Sequence, residues 1–174
     1  ADDTLWHNES LYSTAQDRLE ELLARYGLQD GVREALYETE KANMARYGYG
    51  YGLKSFALSM IETAIRLTEG RVRASDIQAL IEVTKEMRRA PVRLLDHVAE
   101  VIPALAASYP LMVITKGDLY DQENKLARSG LAPYFSYVEI VGEKNEAVYR
   151  SLLRKRQIAA ERFLMVGNSL RSVV

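Results

Sequence analysis

The chain has 174 residues, enough for one sizeable core or for a core with a modest second lobe. Hydrophobic residues make up 48% and charged residues 27%, and the formal net charge is -1, so nothing marks a nucleic-acid-binding surface or a polybasic membrane face. Cysteine is absent, which removes disulfides and thiolate metal sites, and no apolar run nears the ~18 residues of a spanning helix. These totals lead to the expectation of a soluble, cytoplasmic protein with no nucleic acid and no membrane partner; they leave oligomeric state open.

From Leu11 to about Arg89 the apolar pattern is helical. LYSTAQDRLEELLARYG places Leu19, Leu22, Leu23 and Tyr26 on one stripe, with Gly27 set to end the helix. GVREALYETEKANMARY and SFALSMIETAIRLTEG predict two more helices, the latter closed by Gly70. A fourth covers SDIQALIEVTKEMRR, with Ser75 or Asp76 as the N-cap and a stop before Pro91. After Pro91 the texture changes. DHVAEVIPALAASY reads as a helix interrupted or bounded by Pro103, and LMVIT (111–115) as a buried parallel strand. Helix DQENKLARSG, strand YVEIV (137–141), helix NEAVYRSLLRKRQI and strand FLMVG (163–167) follow. This alternation predicts a doubly wound α/β core with a parallel sheet, residues 1–9 and 90–174, into which a helical lobe, 10–89, is inserted.

Ligands of open parallel sheets bind at the carboxyl ends of the strands. LMVI is followed there by Thr115, Lys116, Gly117 and Asp118, YVEIV by Gly142, Glu143, Lys144 and Asn145, and FLMV by Gly167, Asn168 and Ser169. A threonine hydroxyl with nearby backbone N–H groups suits phosphate oxygens, a lysine neutralises their charge, and an asparagine oxygen suits a hard cation. Singly, such residues are more often strand formers, caps or solvated cations. Their order at successive strand ends is the stronger signal.

ADDTLW, VITKG, GEKN and VGNS resemble, in order, the four motifs of the haloacid dehalogenase-like (HAD) hydrolases, and the helical lobe falls where that family carries a cap. The resemblance implies that ADDT is the second half of the first motif, with a nucleophilic aspartate and its strand immediately ahead of Ala1. It further implies an aspartyl-phosphate route to hydrolysis of a small phosphorylated metabolite, with Mg2+ as cofactor. On this resemblance Asp2 is the general acid and base and lends its backbone carbonyl to the metal; Thr115 and Lys144 hold the phosphoryl oxygens, and Asn168 coordinates the metal. Thr4, Lys116 and Gly117 belong to the substrate-binding surroundings. The family's dehalogenases lack an acid at the position of Asp2, so a phosphatase is favoured over a 2-haloacid dehalogenase.

The sequence departs from the pattern in one place. A second acid of the fourth motif is expected at Ser172 or Val173, and neither is acidic. That departure keeps a non-catalytic HAD-fold binding protein as a further alternative. Elsewhere, RYGYGYGLKSF carries three Tyr-Gly pairs from Tyr47 to Gly52. It reads as a loop over the core or as a substrate lid in which Tyr49 and Lys54 meet the ligand. Trp6 and His7 could line a cleft entrance, and Ser59, Glu62 and Thr63 form a polar helix face. With two histidines, no cysteine and no Gly-x-Ser-x-Gly elbow, neither zinc nor serine-hydrolase chemistry is supported.

Overall fold

The computed structural model describes residues 1–47 and 52–168. Two compact units emerge, one formed by Ala1–His7 with Val92–Val174 and the other by Asn8–Pro91.

The second unit is a four-helix assembly of α1 (Glu9–Ala24), α2 (Val32–Tyr47), α3 (Leu53–Leu67) and α4 (Ala74–Arg89). Its core takes Leu19, Leu22 and Leu23 of the stripe anticipated on α1, together with Ala15, while Tyr26 packs against it from beyond the helix end. Val32 and Leu36 join from α2, Phe56, Met60 and Ala64 from α3, and Leu80 and Met87 from α4. Burying each large side chain of this kind contributes about 1.5–3 kcal/mol. Tyr12 meets Phe56 edge-on with ring centroids 4.8 Å apart, the favoured aromatic geometry. Helix α4 begins one residue before the expected caps: Ser75 and Asp76 lie inside its first turn, and Arg73 precedes it. Asp76 is engaged elsewhere, accepting from the Arg25 guanidinium at 2.9 Å and from the Tyr26 hydroxyl. Tyr26 in turn accepts from the Arg73 N–H at 3.0 Å and so ties the end of α1 to the start of α4.

Ser59 and Thr63 do not form a solvated polar face. Both are fully buried, turned toward α2. Asn43 donates to the Ser59 hydroxyl at 3.2 Å and to the Glu62 carboxylate at 2.9 Å, while the Thr63 hydroxyl donates to that of Thr39 at 3.1 Å. Each polar group at the seam thereby finds a partner, as buried polar groups must. The heart of the Tyr-Gly stretch, including Tyr49, lies outside the described residues.

In the first unit, α5 (Val98–Ala106) keeps Pro103 within its last turn and presents Val98 and Ile102 to Trp6, Val113, Leu126 and Leu131. Strand β1 (Leu111–Lys116) pairs in parallel with β2 (Phe135–Val141). Parallel strands need a crossover, supplied by α6 (Leu119–Arg128). Helix α7 (Glu146–Lys155) follows β2. Polar side chains cap both helices: Asp118 accepts from the Asp121 N–H at 3.2 Å and Asn145 from the Val148 N–H at 3.0 Å. Glu139 on β2 is buried and accepts from Lys155 and Arg156; the Arg156 guanidinium also lies 4.5 Å over the Tyr137 ring. Burial alone would raise the Glu139 pKa, but the hydrogen bonds and charges of Arg156 and Lys155 outweigh it and hold the carboxyl below its ordinary value.

The expected third strand is corrected. Residues 163–167 form no ladder, and the sheet of the described residues has two strands. The period-two alternation survives: Phe163 and Met165 pack against Ile114, Tyr149 and Leu152, whereas Leu164 and Val166 are 84% and 71% exposed. Apolar alternation sets which side chains turn inward, but a strand exists only through hydrogen bonds to a neighbour. No paired neighbour lies beside this segment among the described residues.

Candidate active site

The register of the sheet creates the site. Thr115 stands opposite Ile140 and Lys116 opposite Val141, so the turns that follow, carrying Gly117 and Lys144, leave the same end of adjacent parallel strands. Gly117 makes its turn with φ +135°, a conformation open mainly to glycine, and an added Cβ would meet the Gln122 Nε2 at 3.0 Å.

The N-terminal stretch is folded tightly. Thr4 and Leu5 N–H groups both donate to the Ala1 carbonyl, at 3.1 and 2.8 Å, and the Asp3 N–H donates to the Trp6 carbonyl at 2.8 Å. Asp3 takes the left-handed conformation, φ +53°, which aspartate tolerates better than most residues. Antiparallel pairing of Trp6 with Leu94 then fixes this loop to the unit. Trp6 is 2% exposed and belongs to the core, which corrects the expectation that it lines a cleft entrance; His7 is exposed.

Three side chains converge on Asp2. Its Oδ1 accepts from the Trp6 indole at 2.7 Å and from the Lys125 ammonium at 3.0 Å, and its Oδ2 accepts from the Gln122 amide at 3.2 Å. The Gln122 amide oxygen in turn accepts from the Thr115 hydroxyl at 3.1 Å. Burial would raise the Asp2 pKa; the charge of Lys125 and the hydrogen bonds from Trp6 and Lys125 outweigh it, so the carboxyl is held below its ordinary value and is ionised. Lys144 moves the other way for a base. Burial and then the charge of Lys116 lower its pKa, while Asp2 partly restores it. Lys144 therefore feels the charges of both Lys116 and Asp2. Lys116 also reaches Glu143 at 3.8 Å.

Asn168 is drawn in as well, because the Thr4 hydroxyl donates to its side-chain oxygen at 3.3 Å. Thus Asp2, Thr4, Thr115, Lys116, Gly117, Lys144 and Asn168 all belong to one unit and gather around one strand-end region. Lys54 is exposed on α3 of the helical unit. Tyr49, Ser172 and Val173 lie outside the described residues. Gln122, Lys125 and the indole of Trp6 were not anticipated. A signal existed: Gln122 and Lys125 are one helical turn apart beside the buried Leu126, so α6 turns polar groups inward where an apolar stripe alone would be expected.

The oxygen donors at this place match the preference of a hard cation such as Mg2+, which keeps several waters and few protein ligands. The fit is sparse. Among the described residues no group of three or more His, Cys, Asp or Glu could hold a metal.

An α/β unit with a parallel sheet, a polar strand-end site and a helical insertion defines a class of hydrolase fold. Residues 33–173 match the haloacid dehalogenase-like hydrolase family, and the chain belongs to it. A haloacid dehalogenase-like family hydrolase from Xanthomonas campestris is 44% identical, with a TM-score of 0.93, covering 100% of this chain and 72% of its own. Two more distant structures share the fold. The HAD-hydrolase YfnB from Bacillus subtilis, bound to magnesium, is 22% identical with a TM-score of 0.65, over 99% of this chain and 78% of its own. L-2-haloacid dehalogenase from Xanthobacter autotrophicus is 15% identical with a TM-score of 0.56, over 91% and 63%. No curated protein matches the chain significantly. Among the described residues, no helix is long and apolar enough to cross a membrane.

Proposed function

We propose that the protein is a Mg2+-dependent phosphomonoester hydrolase acting on a small phosphorylated metabolite through an aspartyl-phosphate. The observation that carries this reading is the grouping of Asp2, Thr115 and Lys144 by the strand ends: Gln122 bridges the acid/base group to the hydroxyl, and the Lys144 cation lies close enough to Asp2 to feel its charge. In the first step an aspartate oxygen, expected ahead of Ala1, bonds to phosphorus as the bond to the leaving oxygen breaks. Asp2, carrying a proton brought in with the monoanionic phosphomonoester or left from the previous turnover, delivers it to the leaving oxygen. In the second step Asp2 takes a proton from water as that water's oxygen bonds to phosphorus and the acyl-phosphate bond breaks, releasing phosphate and restoring the aspartate. The ionised state in which Lys125 and Trp6 hold Asp2 suits the second step directly.

Thr115 and Lys144 would meet the phosphoryl oxygens, where charge shifts most between ground and transition state. Mg2+, held by Asn168 and the Asp2 carbonyl, would add positive charge against those oxygens. Lys54 and Tyr49 are assigned to substrate binding. The presence of an acid at position 2 is what favours phosphate over carbon–halogen chemistry.

The test is release of phosphate from an aryl phosphate with and without Mg2+. Turnover that needs the metal, and that Asp2→Asn abolishes, supports the reading. Lys144→Ala should cost about 10²–10³ in kcat, while Lys54→Ala costs far less. Halide release from a 2-haloacid without metal would replace the phosphatase by a dehalogenase. Activity in neither assay, with phosphate still bound, would leave a binding protein.

A further inference from the structure

The polar groups of α6 have no part in the scheme above, yet they bond directly to both Asp2 and Thr115. Gln122 is 6% exposed and Thr115 is 3% exposed, so this network is built into the interior. The chemistry of the partners fixes the orientation of the Gln122 amide. An ionised Asp2 can only accept, so the Gln122 nitrogen must face it; the oxygen is then left to accept the Thr115 hydroxyl. One side chain therefore reads both groups at once. Lys125, one turn further along α6, grips the other carboxylate oxygen together with Trp6. Gly117 supplies an independent sign that the place is shaped around Gln122, since any larger residue there would press a Cβ against Nε2 at 3.0 Å.

We propose that Gln122 and Lys125 are positioning residues of the reaction: they lock the Asp2 carboxylate, and Gln122 couples its placement to that of the Thr115 hydroxyl. The catalytic meaning rests on the phosphatase reading. A carboxylate held from two sides by fixed donors cannot rotate away from the reacting oxygen, and residues that orient a reacting group through hydrogen bonds commonly matter by one to two orders of magnitude. The coupling has a further consequence. The Thr115 hydroxyl has the Gln122 oxygen at 3.1 Å and the Lys116 carbonyl at 3.4 Å as acceptors, and it donates to a phosphoryl oxygen only after turning from them. The two groups that meet the ligand are thus prepared by the same amide.

Gln122→Met and Lys125→Met remove the polar heads at nearly constant volume. The kcat should fall ~10–100-fold in each, with KM held within about threefold, and Lys125→Arg should recover part of the loss. The second readout does not depend on activity. Trp6 is the chain's single tryptophan and its indole is bonded to Asp2, so its emission spectrum reports how Asp2 is held. The emission of ligand-free protein should shift in both methionine variants. Unshifted emission in either variant, or a kcat within about threefold of the parent in an active protein, overturns the proposal. If the parent protein hydrolyses no phosphomonoester, the phosphatase reading fails, and the emission of the two variants alone decides whether the clamp on Asp2 exists.

Discussion

Replacing Trp6 by phenylalanine separates two roles that the structure gives one side chain. The indole fills the core beside Val113, Leu126 and Leu131, and its N–H donates to the Asp2 carboxylate at 2.7 Å. Phenylalanine keeps most of the packing and removes the donor. A hydrogen bond to a charged acceptor is worth about 1.5–3 kcal/mol. The smaller ring leaves a gap of roughly 40 Å³, which at about 24 cal/mol per Å³ adds ~1 kcal/mol. Asp2 is 27% exposed and keeps Lys125 and Gln122, so the hydrogen-bond loss should fall at the low end, and the total near 2–3 kcal/mol. A double-mutant cycle with Asp2→Ala isolates the pair. Urea unfolding followed by circular dichroism is the suitable assay, because the chain's single tryptophan cannot report on its own replacement. The coupling should reach about 1–2 kcal/mol; additivity within ~0.5 kcal/mol would show that the 2.7 Å contact does not stabilise the site.

Glu139 gives a pH-dependent prediction. Its folded pKa is depressed, so its contribution is present above the unfolded value of about 4.3 and is lost as pH falls through the lower folded value. Glu139→Gln should therefore flatten the acid limb of a stability-against-pH curve, and an unchanged acid limb would refute the assignment. Gly117→Ala should destabilise by about 1–3 kcal/mol, because it forces both an unfavourable φ and a close contact with Gln122; a melting temperature equal to the parent's would contradict that. Asn43→Leu leaves the Ser59 hydroxyl and the Glu62 carboxylate without their common donor and should cost roughly 2–3 kcal/mol by urea denaturation, whereas Thr14→Val on the exposed face of α1 should cost less than ~0.5 kcal/mol.

The elements that the sequence announced most clearly are those whose signals are local. LMVIT carries its burial in its own composition, and LEELLARY carries the helical period of α1 in its leucines. The segment FLMVG failed as a strand for the opposite reason: its alternation is local, but the partner that makes a ladder is not. At the site, Thr115, Lys144 and Asn168 could be picked out because each follows an apolar run. Gln122 and Lys125 could not, since their meaning lies in a contact across some 120 positions with Asp2. Trp6 was misplaced at a rim because a tryptophan near a catalytic motif suggests a wall, while its indole in fact needed both a core and an acceptor.

The polar seam between α2 and α3 sets the register of two helices that greasy contacts alone would leave free to slide. Moving α3 by one turn, ~5.4 Å along α2, would carry Ser59 and Thr63 away from Asn43 and Thr39 and press hydroxyls against carbon. A redesigned seam of leucines could be more stable, yet it would accept several alignments. The asparagine and its hydroxyls act as a ruler, giving up some cohesion so that the helix pair has a single setting.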